Sequence, residues 1–204
     1  HRHRRVGGHR DLEHHEGEDA HEEEATSDVT EAAARTPRVT LTYDGGLLVL
    51  DASTLEVEAD LPLDGFNRLS DAGDGRHVAV TTAGGWALLD AGTRSEAHGD
   101  HSHYFTAAPE LHDVVVAAEK PAHVVVHDGL TALFDDGTGA ISAFDSADVA
   151  SPDVELTEYA TTEAHHGVAI ELTDGSLVMT EGNEESRNGV RVLGPDGAEL
   201  AASD

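Results

Sequence analysis

The stretch RVTLTYDGGLLVLD, residues 38–51, alternates side-chain types over six positions, breaks at Asp44-Gly45-Gly46, and resumes as an apolar run. Side chains of a β-strand alternate with a period of two, and glycine-rich turns supply the backbone angles of a tight hairpin. The stretch therefore reads as strand, turn, strand. The theme returns in HVAVTTAGGWALLD (77–90), LTALFDDGTGAISAFD (130–145) and VAIELTDGSLVMT (168–180). The turn glycines Gly46, Gly85, Gly139 and Gly175 recur at intervals of roughly 40 residues, the period of a β-propeller blade built from about four strands. No strong helical periodicity interrupts the series, so the fold class is all-β with β-propeller-like repeats. Residues 38–204 hold about four blades, fewer than most propellers need to close, which suggests part of a larger or incomplete ring. The last segment, VRVLGPDGAEL (190–200), reads as the hairpin of a blade left unfinished, and an open edge strand is prone to aggregate.

Upstream of Pro37 the composition changes. Residues 1–37 contain six His, ten Asp/Glu and five Arg, with almost no large apolar side chain. A segment that buries so little apolar surface does not offset its ordering entropy, so it is expected to be a disordered His/Glu-rich head. Only Thr26 to Arg35 has the makings of a short helix. The head starts basic but has no apolar stretch, unlike a signal peptide, and no run in the chain is long enough for a membrane-spanning helix.

Forty-one acidic against twelve basic residues leave a net charge of −29, with Lys120 the single lysine. Such a surface repels nucleic acid and anionic membranes. It suits divalent cations, although the scatter of the acids over strand edges and turns better fits a high-salt environment or simple solubility. Cysteine is absent, which excludes disulfides and thiolate metal sites.

Histidine is therefore the informative residue. Nine of fifteen lie beyond the head, and most fall in three groups: His98, His101 and His103 in HGDHSHYF (98–105), His123 and His127 in HVVVH, and the adjacent pair His165–His166. A His-x-His pair on a strand points both rings to one face, and imidazole is the commonest metal-binding side chain. Asp100 is a third ligand or the acceptor that fixes an imidazole tautomer. His123 and His127 share a strand face but stand ~13 Å apart along it, so only one of them joins any one site. The groups fall at similar places in successive repeats, which predicts convergence on the propeller axis, with His101, His103, His123 and His166 best placed to face one point. A polar, His-rich loop is the plain alternative for the first group, and a pair of satisfied core or rim histidines for His123 and His127. His77 and His112 are read as ordinary core or surface residues, and Asp71-Ala-Gly-Asp74-Gly as a blade-to-blade turn. No Gly-x-Ser-x-Gly elbow, His-Glu-x-x-His helix or phosphate-cradling loop is present.

With these motifs in place, the chain resembles the zinc metallochaperones of the AztD type, exported β-propeller proteins that hand zinc to the solute-binding protein of a zinc ABC transporter. The stretches that carry the resemblance are HGDHSHYF (98–105), EKPAHVVVHDGLTALFDDGTG (119–139), AHHGVAIELTDGSLVMT (164–180) and DLPLDGFNRLSDAGDGRHVAV (60–80), and the His/Glu-rich head is similar to their metal-gathering segment. The resemblance implies Zn2+ as the bound ion, an extracytoplasmic (periplasmic or cell-surface) setting, no enzymatic activity, and zinc-binding roles for His98, Asp100, His101, His103, His123, His127, His165 and His166. A complete member of that family is longer, so a site with ligands from a second half would lie partly outside this chain. Two rival functions are a metal-dependent hydrolase or lactonase on a propeller, with Glu163 or Asp100 as base, and an interaction module with incidental histidines.

Overall fold

The computed structural model describes residues 28–203. In chain order these residues form β1 (Thr30–Ala32), β2 (Arg38–Tyr43), β3 (Gly46–Asp51), β4 (Val57–Pro62), β5 (Leu69–Asp71), β6 (His77–Thr82), β7 (Gly85–Asp90), β8 (Thr93–His98) and β9 (His101–Thr106). There follow β10 (Glu110–Ala117), β11 (Pro121–His127), β12 (Leu130–Asp135), β13 (Ala140–Asp145), a 3-10 turn at Ser146–Asp148, β14 (Thr157–Ala160), β15 (Ala169–Glu171), β16 (Leu177–Glu181), β17 (Gly189–Leu193) and β18 (Glu199–Ser203). All pairings are antiparallel, in five sheets ordered β2-β3-β4, β5-β6-β7-β10, β11-β12-β13-β14, β15-β16-β17-β18 and β1-β9-β8. No helix among the described residues is long and apolar enough to cross a membrane.

Four of the sheets are consecutive blades packed face to face, as the repeats predict. Leu47 and Val49 of the first blade meet Val80, Ala87 and Leu89 of the second. Ala79, Trp86 and Leu88 on the second blade's other face meet Leu133 and Phe144 of the third. Ala132, Phe134 and Ile141 of the third meet Ala169, Leu177 and Met179 of the fourth. The middle strands β7 and β12 are thus covered on both faces, which is why they read as apolar runs and not as strict alternation. Trp86, Phe134 and Leu47 are fully buried, each contributing roughly 1.5–3 kcal/mol of apolar transfer energy.

Two expectations change. The segment 190–200 belongs to no unfinished blade: β17 pairs with β16 and β18 with β17, completing the fourth blade. Its strands look separate in sequence because residues 182–188 hold β17 away from its partner. The other concerns the short helix expected within the head. Residues 1–27 lie outside the described residues, while Thr30–Ala32 is a strand on β9 and the described part of 26–35 contains no helix. A three-residue strand leaves no periodicity to detect.

The fifth sheet is an insertion in the second blade. β7 and β10 pair directly, Asp90 opposite Glu110 and Leu111 opposite Leu89, so the chain leaves the ladder after Asp90 and rejoins it beside the same residue. The intervening β8–β9 hairpin explains the longer interval between Gly85 and Gly139. Its base is tied by the Ala107 N–H, which donates to the Gly92 carbonyl at 2.8 Å, and by Arg38, which donates to the carbonyls of Ala91 (2.6 Å) and Ala107 (2.8 Å). Only glycine fits at 92: φ is +73°, and a Cβ there would lie 2.2 Å from the Ala107 carbonyl oxygen.

Candidate metal centre

The inserted hairpin turns at Gly99-Asp100, with Gly99 at φ +63°. The register sets His98 opposite His101, Glu96 opposite His103 and Arg94 opposite Phe105, and β1 adds Glu31 opposite Phe105. Cross-strand partners share a face and side chains alternate along each strand. His98, His101, His103, Glu96, Arg94, Phe105 and Glu31 therefore occupy one side of this small sheet.

On that side the ring nitrogens of His98, His101 and His103 all lie within 4.8 Å of one another, the one such group of three or more potential metal ligands among the described residues. His101 Nε2 is 3.2 Å from His103 Nε2, which is 3.4 Å from His98 Nδ1. Two ligands about 2.0–2.1 Å from a tetrahedral zinc ion stand about 3.3 Å apart, so the spacing fits that ion. The far nitrogens are addressed by carboxylates: Glu31 Oε1 lies 2.7 Å from His103 Nδ1, and Asp100 Oδ1 lies 3.3 Å from His101 Nδ1. A carboxylate accepting from Nδ1–H places the proton there and leaves the Nε2 lone pair free for a metal. Glu96, directly across from His103, is engaged by Arg94 Nε at 2.9 Å, while Arg94 stacks on Phe105 at 4.7 Å. His98 and His101 are exposed and His103 half-buried, so the site is open to solvent.

The remaining predicted residues separate. His123 and His166 do meet, with ring centroids 5.0 Å apart, and Asp136 receives both His166 Nδ1 at 2.6 Å and the Gly167 N–H at 3.1 Å. These two do not join His101 and His103 at one point, because the latter sit on the insertion and not on a blade's inner strand. His127 faces the Glu171 carbonyl at 3.2 Å and Asp128 at 3.5 Å. His165 is buried, with Nδ1 3.0 Å from the Glu163 carbonyl, Nε2 3.0 Å from Thr180 Oγ1, and its ring edge-on to Phe134 at 5.3 Å. Both of its nitrogens are used inside the protein. His77 is likewise a core residue held by Asp74, with Nδ1 2.5 Å from Oδ2.

Sequence reasoning did not single out Glu31 or Asp136. Glu31 stood among the acids of the head, and Asp136 within an ordinary turn. The only available signal for Glu31 was an acid flanked by threonine and alanine, too little to mark a strand.

No known family profile matches the chain. The chain is 24% identical over 157 residues to the zinc chaperone AztD of Citrobacter koseri, an alignment that takes in 74% of this chain and 37% of that protein. A crystal structure of Citrobacter koseri AztD superposes with a TM-score of 0.69 at 23% identity, covering 80% of this chain and 45% of that one. The apo structure gives 0.68 at 22% identity, covering 80% and 46%. The chain spans less than half the length of these relatives. It has the all-β, propeller-like fold of AztD over four blades, and the resemblance to AztD-type chaperones read from its motifs is carried by both sequence and structure.

Proposed function

We infer that this protein is a zinc carrier, not an enzyme, and that His98, His101 and His103 hold its cargo. The observation that carries this reading is the trio of ring nitrogens at 3.2 and 3.4 Å, with carboxylates behind two of the three rings. Three neutral imidazoles give a tetrahedral ion three ligands and leave a fourth position to water or to an incoming group. Delivery follows from that geometry: a ligand on the acceptor takes the open position first, and the exposed histidines then leave one by one, so the ion never enters bulk water. The acceptor is the solute-binding protein of a zinc ABC transporter, the setting is extracytoplasmic, and the head histidines add weaker capacity. These assignments draw support from the likeness to a protein named a zinc chaperone. His123 and His166, with Asp136 behind His166, form a second and weaker two-histidine site. His127, which faces the Glu171 carbonyl and Asp128, is not one of its two ligands. Of the carboxylates that hydrolysis would use as a base, Asp100 is directed at His101, and Glu163 belongs to the stretch between β14 and β15 and not to the insertion.

The test is a competition titration against a chromogenic zinc chelator, paired with elemental analysis of untagged protein. A tight site that His98→Ala, His101→Ala and His103→Ala each weaken is the expected result. Stoichiometric zinc retained at full affinity by the triple variant would sink this reading.

A further inference from the structure

We propose that Glu31 is a positioning residue through which docking of the N-terminal strand β1 and metal occupancy of the histidine triad reinforce each other. The inference rests on the triad taking zinc. β1 is an edge strand of three residues, paired only with β9 through Thr30–Thr106, Glu31–Phe105 and Ala32–Tyr104. Thr30 and Glu31 are exposed, Ala32 is half-buried, and Val29 beside them is 49% exposed. No fully buried apolar side chain anchors the strand among the described residues, and a short edge strand opens readily. Among the described residues, the one side-chain hydrogen bond from β1 to the ligand face is Glu31 Oε1 to His103 Nδ1, at 2.7 Å.

That contact reaches the ring at the centre of the triad. His103 Nε2 is the atom within 3.2 Å of His101 and 3.4 Å of His98, so the orientation of this ring sets whether three lone pairs converge. Glu96, the other carboxylate within reach on this face, is turned to Arg94, which leaves Glu31 to orient His103. With β1 docked, His103 is held in the metal-binding tautomer and rotamer. With β1 detached, the ring is free to turn and the site loses its middle ligand. Linkage requires the converse: an ion that fixes His103 also favours the docked strand, by the same factor. The strand leading out of the His/Glu-rich segment is thus a latch, and its opening lowers affinity at the moment of release.

The experiment combines chelator-competition affinities with amide hydrogen exchange over residues 28–34, on the full chain with and without zinc. Glu31→Ala is expected to weaken the triad by about 10–100-fold, the usual effect of removing a carboxylate behind a ligating histidine. Glu31→Gln, which keeps a neutral acceptor, falls in between, and Asp28→Ala, an exposed acid in the same segment, binds like wild type. Thermal unfolding of the metal-free protein stays unchanged in all three, which a merely structural role for Glu31 would not predict. Zinc slows exchange of the β1 amides in wild type and not in Glu31→Ala. The latch is overturned if His103→Ala abolishes tight binding while Glu31→Ala and Asp28→Ala behave alike and β1 exchange ignores zinc. If His103→Ala leaves zinc affinity intact, the triad reading fails and the latch fails with it.

Discussion

The histidines of the inserted sheet and those inside the blades make opposite use of the same side chain. His165 and His77 are buried and spend their ring nitrogens on neighbours fixed by the blade: Thr180 and the Glu163 carbonyl for one, Asp74 for the other. His98, His101 and His103 stand on a hairpin outside the packed core and turn their nitrogens toward one another. A buried ring with its polar atoms satisfied stabilises a fold, whereas exposed rings with converging lone pairs stabilise a ligand. Clustering in sequence does not separate the two cases. His165 and His166 are adjacent, yet one is core and the other faces solvent.

The sharpest way to break that contrast is His165→Ala. It removes a buried ring packed on Phe134 together with its hydrogen bonds to Thr180 Oγ1 and the Glu163 carbonyl. The expected cost is ~3 kcal/mol in denaturant unfolding, with zinc affinity unmoved. A variant that unfolds normally and binds zinc poorly would reverse the assignment.

Asp74→Asn tests the other core histidine, with an expected loss of about 1.5–2 kcal/mol at neutral pH. Burial alone raises the Asp74 pKa, but the hydrogen bonds from the His77 ring and from the His77 and Arg76 N–H groups, with the attraction of His77, bring it from 3.8 down to about 2. A carboxyl with a depressed folded pKa stabilises the fold above its ordinary value and gives that stability up as pH falls toward the folded one. The gap between wild type and Asp74→Asn in thermal unfolding should therefore be full at pH 5 and close near pH 2. A gap that persists unchanged at pH 2 counts against the ionic pairing.

On the insertion the pattern inverts. His101→Ala and His103→Ala should each weaken the tightest zinc site at least tenfold, about 1.4 kcal/mol, while unfolding moves by less than about 0.5 kcal/mol. His77→Ala is the counterpart, expected to leave zinc affinity alone. Equal affinity losses in all three would erase the distinction between the two regions.

The smallest expected effect belongs to the pair on the blades. His123→Ala or His166→Ala should leave the tightest site within about twofold, ~0.4 kcal/mol, and lower only the count of weakly bound ions seen by elemental analysis. A large loss at the tightest site would mean that the two regions share an ion after all.

Much of the fold was legible because its signals are local. Alternation and turn glycines mark β2–β3, β6–β7, β12–β13 and β15–β16, each a hairpin closed by a short turn. Alternation says nothing of position within a blade: these pairs are the first and second strands of two blades and the second and third of the other two. Hence β17 and β18 looked like a separate unit. The triad was equally legible, because His101-x-His103 and the turn to His98 are set by strand period and a two-residue loop. Convergence on the axis was not, because it depended on which sheet the hairpin joins. Glu31 reaches His103 across 72 positions, a pairing that no local pattern encodes.

Because β7 and β10 close against each other behind the hairpin, with Asp90 facing Glu110, the hairpin that carries the candidate metal site leaves and rejoins the blade at two neighbouring points, both bonded to Arg38 of β2. In architectural terms it is a plug-in module. Cutting out the hairpin and joining its base with a tight turn should leave four intact blades and remove the triad at a stroke. The same hairpin, carried with a β1-like strand, should graft onto any antiparallel pair that tolerates a turn at that register. On the zinc-carrier reading, the blades supply the frame and the insertion supplies the ligands.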